Sequence, residues 1–261
     1  MWQAFGDVPN YVEPFAGSLA VLLGRPHPAR TETVNDADHF LCNFWRAIQA
    51  DPVTTAHYAS HPVNEADLLA RHKWLIETGA FRIAKLRECA DFYDAKVAGW
   101  WVWGICAWIG QGWCQKTANK LPHLGDAGKG INRKLPHLGD AGKEIETYFL
   151  ALAERLRRVR VACGDWTRVL GESVTVKHGI TGVLLDPPYS SSEHDVQYAM
   201  KADGVAEAVR QWAVENGDNP LLRIAYCGYA ESGVEFPPSW ECLAWKACGG
   251  YGSQGDARGR V

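Results

Sequence analysis

The stretch TGVLLDPPY, Thr181 to Tyr189, constrains the fold more than any other part of the chain. A short apolar run with an abrupt stop reads as a strand buried on both faces, the kind found inside a parallel sheet. Pro187 and Pro188 remove two backbone donors and fix φ, so the strand ends before them in a stiff turn. The carboxyl end of a parallel strand faces the crevice where α/β proteins hold ligands. There, Asp186 and a bare backbone carbonyl form a pair of acceptors. Such a pair suits an amino group whose lone pair must be aimed at an electrophile, and Tyr189 can stack on the planar base that carries it. The plainer alternative is a Pro-Pro turn closing a core strand, with Asp186 capping a helix.

Other segments repeat the strand–turn–helix pattern. NYVEPFAGSLAVLL (Asn10 to Leu23) reads as a strand, a glycine turn and a helix. TETVNDADHFLCNFWRAI (Thr31 to Ile48) reads as a strand ending at Asp36, then an amphipathic helix capped by Asp38. RVRVACGDW and PLLRIAYCGY read as further strands, and DVQYAMKADGVAEAVRQWAV as an amphipathic helix. Units of this kind in succession predict an α/β fold with a doubly wound, Rossmann-like parallel sheet. Between the halves lie NEADLLARHKWLIE and FRIAKLRECADFYDAKVAGWWVW, both helical in period, and KLPHLGDAGK, which occurs at Lys120–Lys129 and again at Lys134–Lys143. Proline, glycine and aspartate make the repeat loop-like. The expected organisation is residues 1–67, then a mainly helical insert at 68–150, then 151–261.

Three carboxylates fall at the ends of the expected strands. Asp36 is placed to accept hydrogen bonds from ribose hydroxyls. Asp165 and Trp166 can pair with and stack on an adenine, and Asp186 closes the third strand. Gly17 permits a tight turn after Glu13-Pro14-Phe15-Ala16, and a helix N-terminus follows. Leu19 stands where a second glycine of a phosphate-cradling loop would be, so a nucleoside cofactor without pyrophosphate fits better.

Charge and composition narrow the classes. The chain has 261 residues, 47% hydrophobic and 22% charged, which excludes global disorder. Its net charge is −3, yet Lys116 to Arg160 carries ten Lys/Arg against five Asp/Glu. A basic stretch on an acidic protein suits a phosphate-facing surface, with Lys120, Lys129, Arg133, Lys134 and Lys143 as candidate DNA contacts. A solvated loop reads equally well. The eight cysteines include no CxxC spacing, so neither a zinc site nor a disulfide framework is expected, and a cytoplasmic location is. VAGWWVWGICAWIGQGWC (Val97 to Cys114) is uncharged, but its glycines predict a buried helix running into a loop rather than a membrane span. Trp100, Trp101 and Trp103 are expected in the core.

YVEPFAGSLAVLL followed far downstream by LLDPPY resembles the Dam-type DNA adenine methyltransferases, especially phage- and prophage-borne ones. The resemblance implies an S-adenosylmethionine-dependent enzyme that methylates N6 of an adenine flipped out of double-stranded DNA, without a metal. It implies cofactor contacts at Glu13, Pro14, Phe15, Ala16, Gly17, Asp36, Asp165 and Trp166. It implies catalytic roles for Asp186, Pro187, Pro188 and Tyr189, and a target-recognition role for the insert. Two alternatives stay open. One is amino-methylation of another planar target, such as cytosine N4 or RNA adenine. The other is a non-catalytic DNA-binding remnant, for which Leu19 argues.

Overall fold

The computed structural model describes residues 1–108, 113–114, 141–188, 204–228 and 236–243. The chain opens with α1 (Trp2–Phe5), β1 (Asn10–Glu13), α2 (Ala20–Leu23) and β2 (Thr31–Asp36). Helices α3 (His39–Ala50), α4 (Pro52–Ala59), α5 (Glu65–Trp74), α6 (Ala80–Ile83), α7 (Ala95–Ala107) and α8 (Ala141–Leu156) follow. The chain then adds β3 (Arg160–Cys163), β4 (Thr181–Leu185), α9 (Val205–Asn216) and β5 (Leu222–Tyr226). The protein is therefore mixed α/β, as the alternation predicts. Residues 1–34 and 166–261 form one compact unit, and residues 35–165 a second.

The strands form one sheet in the order β3-β2-β1-β4-β5. β1 pairs in parallel with β2 on one side and β4 on the other, Asn10 facing both Thr31 and Thr181. β5 continues in parallel from β4. Strand order thus reverses at β1, the first strand in sequence and the central one in space. All of β1 and β4 is buried, which explains why β4 reads as an apolar run rather than an alternation, while β1 carries Asn10 and Glu13 into the interior.

In the first unit, Phe5, Val8, Tyr11, Val12, Leu22 and Val183 to Leu185 pack as core. A polar network runs through it. Arg25, its side chain fully buried, meets the equally buried Glu32 at 3.1 Å and donates to the Val8 carbonyl at 2.6 Å. Its guanidinium also lies 5.1 Å from the centroid of Trp2, whose indole N–H donates to the Val21 carbonyl. Asn10 donates to Thr181 Oγ1 and the Val174 carbonyl, tying β1 to β4 and to the turn before it.

The second unit is a helical layer. Asp38 caps α3 as expected, accepting from Phe40 N at 2.8 Å and Leu41 N at 3.4 Å. α7 crosses α4 at Gly99, where a Cβ would fall 2.4 Å from the Cβ of Tyr58, so no larger residue fits. The stretch from Phe81 to Trp103, helical in period, is not one helix: it breaks between Arg87 and Ala95. Asp91 takes φ 57°, and Asp94 is more useful outside a helix than inside one. Its carboxylate caps α7 at Val97 N and pairs with Arg82, while its backbone exchanges two hydrogen bonds with Asn43. Trp101 and Trp103 are buried as predicted, whereas Trp100 is only half-buried beneath the Lys96 ammonium, 4.2 Å away. No helix among the described residues is long and apolar enough to cross a membrane. α8 begins within the second copy of the repeat, so Ala141–Lys143 are helical rather than loop. The rest of the repeat lies outside the described residues.

Breaking a buried ion pair on one side costs more than removing it whole. Arg25→Ala removes the buried cation that faces the buried Glu32, and urea unfolding should show a loss of about 3–5 kcal/mol. The double variant Arg25→Met with Glu32→Leu should lose far less.

Candidate functional site

The loop after β1 is held from below by one carboxylate. Glu13 is 1% exposed, and its Oε1 accepts from the Tyr11 hydroxyl at 2.7 Å and from Leu22 N at 2.9 Å. Tyr11 and Glu13 are two apart on a strand and so share a face. The bond to Leu22 reaches into α2, a single helical turn, and satisfies one of its N-terminal donors. The chain between is thereby drawn into a tight loop. Burial raises the Glu13 carboxyl to a pKa of about 7, and the negative charges of Asp186 and Glu32 push it the same way. Burial and the adjacent Glu13 likewise push the Tyr11 hydroxyl well above its ordinary range.

Within the loop, Pro14 and Ala16 are buried, Phe15 is half-buried and Gly17 is exposed. Gly17 has φ 46°, and a Cβ there would meet nothing within 4 Å, so space opens beside the backbone. Leu19 occupies φ 57°, the left-handed region that a glycine adopts without cost. Its side chain is 1% exposed, packed into the core. The leucine thus keeps the backbone shape of a glycine loop and adds core packing.

Phe15 is also paired across the chain. Its ring lies nearly parallel to that of Trp166, centroids 6.2 Å apart and planes 29° apart. Trp166 opens the short 3₁₀ turn Trp166–Val169 after β3. Two candidate cofactor residues, one from each of the two segments that build the first unit, therefore face each other.

β4, next to β1, delivers the other motif. Asp186 is exposed directly after the strand, Pro187 is buried and Pro188 half-buried. The Leu185 carbonyl accepts from Cys227 N at 2.8 Å, which anchors the turn to the chain leaving β5. The register of Val12 with Val183 places Glu13-Pro14-Phe15 and Asp186-Pro187 at the same end of adjacent strands. Tyr189 lies outside the described residues.

In the second unit, Asp36 is half-exposed at the end of β2, and its Oδ1 accepts from Asp38 N at 2.9 Å. Its main-chain carbonyl accepts from Gly164 N at 2.8 Å, and Asn35 returns a bond from Nδ2 to the Gly164 carbonyl at 3.0 Å. These bonds hold the exposed Asp165 beside the strand end that bears Asp36.

The motifs at the carboxyl ends of β1 and β4 lie where the strand order reverses, the position at which open α/β sheets bind ligands. Residues 3–93 match the family model of the D12 class N6 adenine-specific DNA methyltransferases. This bears out the resemblance read from YVEPFAGSLAVLL. The matched stretch takes in β1, the Glu13–Gly17 loop, β2 with Asp36, and the helices as far as α6. No curated protein matches the chain.

Of the candidate DNA contacts, Lys120, Lys129, Arg133 and Lys134 lie outside the described residues. Lys143 is in the first turn of α8, with its side chain undescribed. Among the described residues no group of three His, Cys, Asp or Glu is placed to hold a metal ion. Two residues that shape the site, Tyr11 and Leu22, escape a motif reading. The only sequence signal for the first is the two-residue spacing that puts a hydroxyl beside a buried carboxylate.

The raised Glu13 carboxyl has a signed consequence. Its folded pKa lies above the ordinary carboxylate value, so the folded state holds the proton more tightly. The associated stability is fully present below the unfolded pKa and is lost as pH rises through about 7. Glu13→Gln keeps an acceptor for Tyr11 and Leu22 but cannot titrate. Thermal unfolding between pH 5 and 8 should show a smaller decline for the variant than for the native chain.

Proposed function

We propose that the protein is an S-adenosylmethionine-dependent DNA methyltransferase acting on N6 of adenine. The observation that carries this reading is the placement of Glu13-Pro14-Phe15 and Asp186-Pro187 on neighbouring parallel strands, at the end where the strand order reverses. The D12 family match supports it. The strand order also supports a doubly wound, Rossmann-like sheet, with residues 68–150 as a target-recognition insert.

The residues present suit the cofactor. The near-parallel Phe15 and Trp166 rings offer aromatic faces to a planar base. Open space beside Gly17 lets a ligand approach the backbone closely. Asp36 and Asp165 are exposed or half-exposed carboxylates suited to a ribose diol and an adenine amino group. When bound, S-adenosylmethionine supplies an electrophilic methyl group.

The work of the protein is then orientation. Asp186 and the Pro187 carbonyl accept the two N–H bonds of the target amino group, which leaves its lone pair directed out of the base plane. Pro187 and Pro188 keep this acceptor pair rigid, because the backbone there has fixed φ. Tyr189 stacks on an adenine flipped out of double-stranded DNA. Positioning and a fixed electrostatic environment supply the acceleration. Lys120, Lys129, Arg133, Lys134 and Lys143 provide phosphate contacts. Against the alternative of a remnant unable to bind cofactor stands the placement of Leu19, which is packed into the core on a glycine-like backbone.

Asp186→Ala should abolish methyl transfer to duplex DNA, a loss of at least a hundredfold, while cofactor binding is retained. The assay uses labelled S-adenosylmethionine and identifies product nucleosides by mass spectrometry. Near-native turnover in the variant would remove Asp186 from the mechanism, and N4-methylcytosine as product would move the target to cytosine.

A further inference from the structure

The second unit contains a thiol pair that the methyl-transfer reading does not use. Cys42 is buried in the first turn of α3, and Cys163 is the half-exposed last residue of β3. Cys42 Sγ lies 3.5 Å from the carbonyl of Ala162, the residue just before Cys163, and 3.3 Å from the carbonyl of Asp36. Cys163 directly follows Ala162, so the two thiols are neighbours, and the Arg87 guanidinium lies close to Cys163. The backbone around them is fixed: Gly164 N donates to the Asp36 carbonyl, and Asn35 to the Gly164 carbonyl.

The two sulfurs differ in character. The neighbouring Cys42 thiol and the nearby Arg87 charge lower the Cys163 thiol below its ordinary range, although burial opposes them. Cys42 is held well above the usual range, by the neighbouring Cys163 first and by burial second, with Asp36 and Asp38 adding negative charge. A half-exposed thiol with enhanced thiolate character beside a second thiol has the arrangement of an oxidisable site with its own resolving partner.

We propose that Cys42 and Cys163 form an oxidisable pair that a hydroperoxide closes into a reversible disulfide at the end of β2. The Cys163 thiolate attacks the peroxide: an S–O bond forms, the O–O bond breaks, and hydroxide (or alkoxide) leaves. The Cys42 sulfur then attacks the sulfenic sulfur. The S–S bond forms, the S–O bond breaks, and water leaves with the Cys42 proton. In sum, two thiols are oxidised to a disulfide and the peroxide is reduced. Bridging withdraws the Cys42 S–H from the Asp36 carbonyl, so it disturbs the strand end that bears the Asp36 carboxylate. That consequence for the cofactor rests on the proposed role of Asp36; the bridge itself does not.

The test treats the full reduced chain with stoichiometric hydrogen peroxide, blocks remaining thiols and maps peptides by mass spectrometry. A Cys42–Cys163 peptide lighter by two hydrogens, reversed by dithiothreitol and absent in Cys163→Ser, is the expected result. Cys42→Ser should instead stop at Cys163 sulfenic acid, trapped by dimedone, which separates a reactive Cys163 from a folding defect. Bridges spread evenly over the other cysteines, or none, would overturn the proposal. In parallel, the thermal shift given by S-adenosylmethionine should be at least halved after oxidation. An unchanged shift would overturn the link to Asp36. No shift even in the reduced chain would overturn the cofactor reading and leave the bridge standing.

Discussion

The site in the first unit depends on a single buried carboxylate. Glu13 ends the central strand and holds both the Tyr11 hydroxyl and the backbone N–H of Leu22 on one oxygen. Without that anchor, α2 is a four-residue helical turn with little to fix it, since helices so short are not stable alone. With it, the six residues from Pro14 to Leu19 must close a tight loop. That closure requires the two positive φ values at Gly17 and Leu19. Phe15 is left half-exposed at the crest of the loop, opposite Trp166. A buried acid is a costly anchor, and the cost is seen in the carboxyl group's rise toward neutrality.

The sheet explains why two motifs so far apart in sequence act together. β1 and β4 are both buried along their length and pair in parallel. Their carboxyl ends therefore coincide, and Asp186 is close enough to Glu13 for its charge to be felt there. The turn at Asp186 draws its stiffness from two sources: proline φ restriction, and the hydrogen bond from Cys227 N to the Leu185 carbonyl. A rigid acceptor placed at a strand end is what orienting an amino group demands.

Much of this was legible in the sequence because the signals were local. The apolar run before Asp186 located β4, the strand–turn–helix pattern located β1 and β2, and Asp38 was readable as a cap because the amphipathic pattern of α3 starts one residue later. Long-range partners account for what was not legible. The helical period from Phe81 onward continues through Asp94, yet Asp94 stands outside a helix as the cap that starts α7, held by Asn43 and Arg82, partners distant in sequence or across the break. The pairing of Phe15 with Trp166 and the Arg25–Glu32 ion pair have no local signature either. Leu19 looked like an obstacle in the sequence. It fits because its backbone follows the glycine path while its side chain finds core space, and periodicity cannot show that.

The central claim is that the Glu13-anchored loop is a cofactor site, and direct calorimetric titration of S-adenosylmethionine into the native chain and Phe15→Ala tests it most directly. One site per chain, with affinity reduced about tenfold or more in Phe15→Ala at unchanged folding stability, is the result this account predicts; ~1.4 kcal/mol of lost binding corresponds to that factor. Absence of binding to the native chain, or equal affinity in both proteins, would contradict it.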